Sequence, residues 1–222
     1  MLQAVIFDLD GTLLNTIADI TSVINRGLAL YNLPQLTIQA CATIVGEGIE
    51  KLVRRALPPG FSDEKAYNTI LSSVKKNYQA APVGKTTLYP GVGECLDYLA
   101  RKKIPMAILS NKPHDIAVQS VAGLLADWQF VRIQGALEGS APKPEKSAAL
   151  NIAAQMQKSP DMIAFIGDSE IDIQTARNAG MYAVAVTWGF RSRELLSHSG
   201  PDIIVDSPAE IIELFAVHEK NF

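Results

Sequence analysis

The 222-residue chain holds only two cysteines, Cys41 and Cys95, far apart in sequence. They make no Cys-x-x-Cys pair and no disulfide framework, so the sequence predicts a reducing compartment, the cytoplasm. Long apolar runs are missing too. Stretches such as Met181–Val186 fall far short of the ~20 residues that cross a bilayer, so no membrane partner is expected. The start of the chain shows no basic stretch and no cleavage signal, and it reads as no signal peptide. No block of basic charge exists. Lys and Arg number 20 against 23 Asp and Glu, for a net charge of −3, which speaks against a nucleic-acid partner. The one charge run, Arg101-Lys102-Lys103, closes a predicted helix, where cations suit the dipole. The histidines, His114, His198 and His218, show no metal-ligand spacing.

What is present is a globular composition, 48% hydrophobic and 19% charged. The length suits one large domain or one domain with an insert. It can bury a full core without staples. Short apolar runs at Ala4–Leu9, Met106–Ser110, Met162–Ile166, Tyr182–Thr187 and Ile203–Val205 read as buried parallel strands, with Phe130–Ile133 a weaker candidate. Helical stripes lie between them, as at Val92, Leu96 and Leu99. The segment 16–84 breaks the alternation. It holds helical stripes, among them Tyr67, Ile70, Leu71, Val74 and Tyr78, and no convincing strand. The predicted fold is α/β, a doubly wound parallel sheet with a helical segment inserted after the first strand.

Chemistry concentrates at the predicted strand ends. The first strand runs into Asp8-Leu9-Asp10-Gly11-Thr12. Carboxylates at i and i+2 of an extended chain point the same way. At about 4 Å they repel by roughly 4 kcal/mol at an effective dielectric near 20. Such a pair needs a metal, a shared proton or a basic partner. Asp-Gly between apolar residues also reads as a turn. A second acidic group, Asp168 and Asp172, follows the strand at 163–166. An N-cap with an acidic first turn would look the same. In parallel sheets, however, ligands bind beyond the carboxyl ends of strands. Two such ends rich in aspartate describe one oxygen-lined cation site, suited to Mg²⁺ and, without nearby His or Cys, unsuited to zinc. Ser110-Asn111-Lys112 ends another strand, where a hydroxyl and the backbone N–H groups opening the next helix can meet an anion. Lys143 stands between Pro142 and Pro144, which fix its backbone.

These segments in this order resemble the haloacid dehalogenase superfamily: Asp-x-Asp-Gly-Thr, a strand ending in Ser-Asn, a lone Lys before Pro, then Gly-Asp-x-x-x-Asp. The resemblance spans the chain. It implies a catalytic core of residues 1–15 and 85–222 and a helical cap of residues 16–84. It implies Asp8 as nucleophile and Asp10 as general acid and base. Asp8, the Asp10 backbone carbonyl and Asp168 would hold Mg²⁺. Ser110 and Lys143 would bind the phosphoryl oxygens, and Asp172 would orient Lys143 or a metal-bound water. Thr12, Gly46, Gly48, Asn111 and Lys112 would lie around the substrate. A closer resemblance, to phosphoglycolate phosphatases, rests on Ser110-Asn111-Lys112-Pro113, Gly46-Glu47-Gly48 and Thr187-Trp188-Gly189. Asn15 stands where that group usually has Asp, Ser110 replaces the commoner Thr, and Lys146 takes the place of a frequent second Pro. The implied partner is a small phosphorylated metabolite, taken by a monomer or homodimer. Arg54, Arg55, Lys112 and Arg191 are candidates to pair a substrate carboxylate. The alternatives are a pyrophosphatase or nucleotidase of the same fold, or a β-phosphoglucomutase-like mutase. Asp10 disfavours a dehalogenase. Asp8, Asp10, Lys143 and Asp168 together disfavour a non-catalytic phosphate-binding module.

Overall fold

A computed structural model of the chain describes residues 1–80 and 83–216; His218, and residues 81 and 82 of the segment 16–84, lie outside these. After β1 (Ala4–Phe7) come a short β2 (Leu14–Asn15) and helices α1 (Ile17–Ala29), α2 (Ile38–Ile44), α3 (Ile49–Ala56) and α4 (Glu64–Ala80). The chain returns through β3 (Thr87–Leu88) and then alternates: α5 (Val92–Arg101), β4 (Met106–Pro113), α6 (His114–Leu124), β5 (Arg132–Ala136) and α7 (Ser147–Met156). It ends with β6 (Ile163–Gly167), α8 (Glu170–Ala179), β7 (Tyr182–Val186), α9 (Arg193–His198), β8 (Ile203–Val205) and α10 (Pro208–Ala216).

Six strands form one parallel sheet in the order β5-β4-β1-β6-β7-β8. Alternation along β1 explains its two covered faces. Val5 and Phe7 pack with α5, α6 and α10, while Ala4 and Ile6 pack with α7, α8 and α9. A strand buried on both sides has no polar positions, which is why these strands read as unbroken apolar runs. The order reverses at β1, whose neighbours come from opposite halves of the chain. The carboxyl ends of β1, β4 and β6 therefore meet at the switch point, where such sheets bind ligands.

The helices between β2 and β3 bury their own cluster, with Ile24, Leu28, Val53, Ile70 and Val74 at its centre. Ile116 of α6 belongs to the same cluster, so this layer packs onto the sheet domain. Its two connections pair with each other: β2 and β3 are antiparallel, Leu14 opposite Leu88 and Asn15 opposite Thr87. Asp19 of α1 ties down the return. Its buried carboxylate accepts from Lys85 N at 2.8 and 3.0 Å and from Thr86 Oγ1 at 2.7 Å.

Three expectations shift. The strand placed at Phe130–Ile133 is Arg132–Ala136, an edge strand whose half-exposed residues carry no apolar run. The strand expected to end at Ser110 runs on through Asn111 and Lys112 to Pro113, with a break in its pairing to β5 between Leu109 and Pro113. The β2–β3 ribbon was not anticipated, because two-residue strands leave no periodic signal. Among the described residues, no helix is long and apolar enough to cross a membrane.

Candidate active site

Four segments bring ionised groups to the switch point. Asp8 follows β1, and its backbone N–H is fixed on Ile166 O at 2.9 Å. Lys143 arrives on the loop before α7. Asn111 holds that loop by both ends of its amide, accepting from Lys143 N at 2.8 Å and donating to Lys143 O at 3.1 Å. The Lys143 ammonium donates to Asp172 Oδ1 at 2.6 Å. It also stands 2.8 Å from Asp8 Oδ1, an ion-pair distance. Its direction misses hydrogen-bond geometry, so that buried oxygen has no hydrogen-bond partner. The other oxygen of Asp172 accepts from Ser169 N at 3.1 Å and Ser169 Oγ at 2.5 Å, which starts α8 as a cap. Asp168 accepts from Phe190 N at 2.7 Å. Room for its carboxylate comes from two glycines: a Cβ on Gly11 would lie 2.4 Å from Asp168 Oδ2, and one on Gly189 would lie 2.2 Å from Asp168 Cβ.

Burial sets the electrostatics. It pushes the Asp8 carboxyl up to about 7, with Lys143 opposing and Asp172 adding to the rise. Burial, then Asp172 and Asp8, push Asp168 well above the usual carboxylate range. Burial disfavours the Lys143 ammonium, but Asp172 and Asp8 outweigh it and hold its pKa above the ordinary value. Asp8, Asp10, Asp168 and Asp172 face the ammonium groups of Lys112 and Lys143 at this end of the sheet. With all four carboxylates ionised, two negatives are in excess, and a divalent cation would neutralise them and offset the rise at Asp8 and Asp168. Asp8, Asp168 and Asp172 each offer one oxygen, and the three lie within 4.8 Å of one another. A cluster of hard carboxylate oxygens with an unpartnered buried lone pair fits Mg²⁺. The Asp10 carboxylate is not part of that trio; it accepts from Lys112 Nζ at 2.8 Å.

A cavity of about 670 Å³, open space at its mouth included, lies between sheet and helices. Asp8, Asp10, Ser110, Asn111, Lys112, Lys143 and Asp168 line its core side. Gly46, Gly48, Val23, Ile49, Val74 and Tyr78 line its helical side. Gly46 and Gly48 have φ of +129° and +92°, a region that favours glycine. Gly46 O accepts from Asn111 Nδ2 at 2.9 Å, so the loop between α2 and α3 is pinned to β4. Thr12 lies apart from this cavity: its side chain is fully buried and faces a small separate cavity with Phe7, Leu13 and Trp188, and its carbonyl accepts from Trp188 Nε1 at 3.0 Å. Asn15 and Lys146, the departures from the family pattern, are exposed and lie outside the cavity.

The proposed carboxylate partners also separate. Arg54 pairs with Glu64 and Arg55 with Glu47 on the outer face of α3, and neither lines the cavity. Arg191 does line it, but three of its five N–H groups already go to Glu170 Oε2 (3.0 Å), Ala42 O (2.7 Å) and Val45 O (2.6 Å), which tie the guanidinium to α2 and α8. Lys112 remains, its side chain 1% exposed, held between Asp10 and the Tyr78 hydroxyl of α4. In the sequence Tyr78 closes an apolar stripe; the signal of a further role is its polar tip, which needs a partner when the ring is buried.

The chain belongs to the haloacid dehalogenase-like hydrolases, whose family profile matches residues 5–186. Similar proteins include the phosphoglycolate phosphatase of Rhodobacter capsulatus, 36% identical over 199 residues, 88% of this chain and 89% of the relative. The phosphoglycolate phosphatase of Pectobacterium atrosepticum is 31% identical over 215 residues, 96% of this chain and 92% of the relative. A crystal structure described as a predicted phosphoglycolate phosphatase from Haemophilus somnus 129PT superposes with a TM-score of 0.90 at 28% identity, covering 96% of this chain and 98% of that one.

Proposed function

We propose that this chain is a Mg²⁺-dependent phosphoglycolate phosphatase acting through an aspartyl-phosphate on Asp8, in the cytoplasm. The coarser statement holds without the finer one: it is a phosphatase of the haloacid dehalogenase-like family. The observation that carries the reading is Asp8 Oδ1, a buried carboxylate oxygen beside Lys143 with no hydrogen-bond partner of its own. Such an oxygen is free to bond to phosphorus.

In this reading Asp8 Oδ1 attacks, the bond to the leaving oxygen breaks, and Asp10 gives that oxygen a proton. Water then attacks phosphorus, Asp10 takes the water's proton, and phosphate leaves with Asp8 restored. Lys143 and the Ser110 hydroxyl bind phosphoryl oxygens as charge builds on them. Asp172 keeps the Lys143 ammonium in place through its 2.6 Å bond. Asp8, Asp168 and the Asp10 carbonyl would hold Mg²⁺, which supplies neutralisation of phosphoryl charge when bound. Segment 16–84 acts as a cap that excludes water, and residues 1–15 and 85–222 form the catalytic domain.

The test is a panel of phosphate monoesters and pyrophosphate, ranked by kcat/KM with Mg²⁺ and with EDTA. Phosphoglycolate is expected to exceed ethyl phosphate by at least about tenfold, equivalent to ~1.4 kcal/mol, and EDTA to stop turnover. Ethyl phosphate or pyrophosphate equal to phosphoglycolate would refute the substrate. Full turnover in EDTA would refute the metal.

A further inference from the structure

We propose that Lys112 of the sheet domain and Tyr78 of the helical segment together form the subsite for a carboxylate on the substrate's leaving group. This rests on the phosphatase mechanism above and names what selects its substrate.

The donors can be counted. An ammonium carries three N–H groups. Lys112 Nζ gives one to Asp10 Oδ1 and one to the Tyr78 oxygen. The third is uncommitted among the described residues. A phenol that accepts from an ammonium still owns its O–H. No described residue accepts from Tyr78, and burial, then Asp10 and Asp19, push its phenol pKa up, so the proton stays. One N–H and one O–H thus stand side by side in the cavity, a pair that a carboxylate can take with its two oxygens.

Position supports the same ligand. Lys112 Nζ is 2.8 Å from the Asp10 carboxylate, which the mechanism places against the leaving oxygen. A carboxylate on Lys112 therefore lies only a few atoms from that oxygen, as in a two-carbon acid phosphate. The neighbouring walls are Ile20, Val23, Ile49, Leu52 and Val74. They offer nothing to the hydroxyl groups of a sugar, whose burial there would leave them unpaired. Among the described cations, Arg191 is tied by three bonds to Glu170, Ala42 O and Val45 O, Lys143 is held by Asp172 and Asp8, and Arg54 and Arg55 face outward; Lys112 alone stands against Asp10. Because Tyr78 and Lys112 come from opposite sides of the cavity, the subsite is complete only while the helical layer is closed.

The test compares wild type, Tyr78→Phe and Lys112→Met on phosphoglycolate and ethyl phosphate. Tyr78→Phe removes one oxygen and keeps the ring. It is expected to cut the phosphoglycolate-to-ethyl phosphate ratio of kcat/KM about tenfold, chiefly through KM for phosphoglycolate, and Lys112→Met to cut it further. A second measurement needs no turnover: calorimetric binding of 3-phosphonopropionate against propylphosphonate, which differ by the carboxylate alone. Tyr78→Phe is expected to weaken the first and narrow the difference. A wild-type preference that survives in both variants, or equal losses on both substrates, overturns this subsite and leaves the phosphoglycolate reading standing. No wild-type preference overturns both.

Discussion

Asp8 combines burial, a raised carboxyl pKa and an unpartnered oxygen. Asp8→Asn keeps its shape and removes the proposed nucleophile, so no turnover is expected, measured as phosphate release. A separate outcome concerns stability. In the folded chain the carboxyl is raised from 3.8 to about 7, so folding takes up a proton between those values. The contribution of Asp8 to stability is greatest below that window and is lost as pH rises through it. In EDTA, the melting temperature of Asp8→Asn relative to wild type is expected to climb by a few degrees from about pH 5 to about pH 8. A difference that is flat with pH would contradict this. The two thiols lie at the other extreme. Burial pushes Cys95 up to about 12 and also raises Cys41. A thiolate is the reactive form, so a disulfide reagent at neutral pH is expected to find no thiol in the native chain and both in urea.

At the level of elements, polar links tie the helical layer down beside the packing of Ile116. Arg191, on the loop after β7, reaches across to the carbonyls of Ala42 and Val45 at the end of α2, braced by Glu170 at the start of α8. Arg191→Ala frees that end and leaves both carbonyls without their donor. The expected result is a KM for phosphoglycolate raised about tenfold, ~1.4 kcal/mol, with a smaller change in kcat. Faster proteolysis at residues 45–48 is expected alongside, and an unchanged KM would remove Arg191 as a latch. The same elements show what a sequence can disclose. β1, β4, β6 and β7 were legible because burial on both faces leaves unbroken apolar runs. β5 was displaced because Arg132 and Gln134 belong to an exposed edge. Arg191 was recognisable as a cation near the site, but the carbonyls that use it lie in another segment, nearly 150 residues away. Lys112 was legible as a candidate and Tyr78 was not, since a tyrosine closing an apolar stripe looks like core until its hydroxyl is seen.

Across the whole molecule, the candidate aspartates are legible because Asp8 and Asp168 directly follow strands, and the topology gathers the ends of β1 and β6. Their assembly has a thermodynamic signature. The carboxylates share one buried site, so a cation that binds there stabilises the entire fold. At Mg²⁺ one hundred times its Kd the gain is about 2.7 kcal/mol. For a chain of this size that is a rise of roughly 5–10 °C in Tm. Asp168→Asn is expected to abolish most of the rise, and a wild-type Tm indifferent to Mg²⁺ would argue against the site. The β2–β3 ribbon carries a different lesson. With Leu14 opposite Leu88, the excursion through the helices departs from and rejoins the core at one rung of a ladder. Everything between those rungs leaves the sheet domain and re-enters it at one place. An excursion of another length that keeps Leu14 opposite Leu88 is therefore expected to leave Asp8 and Asp168 in place while reshaping the wall that faces them.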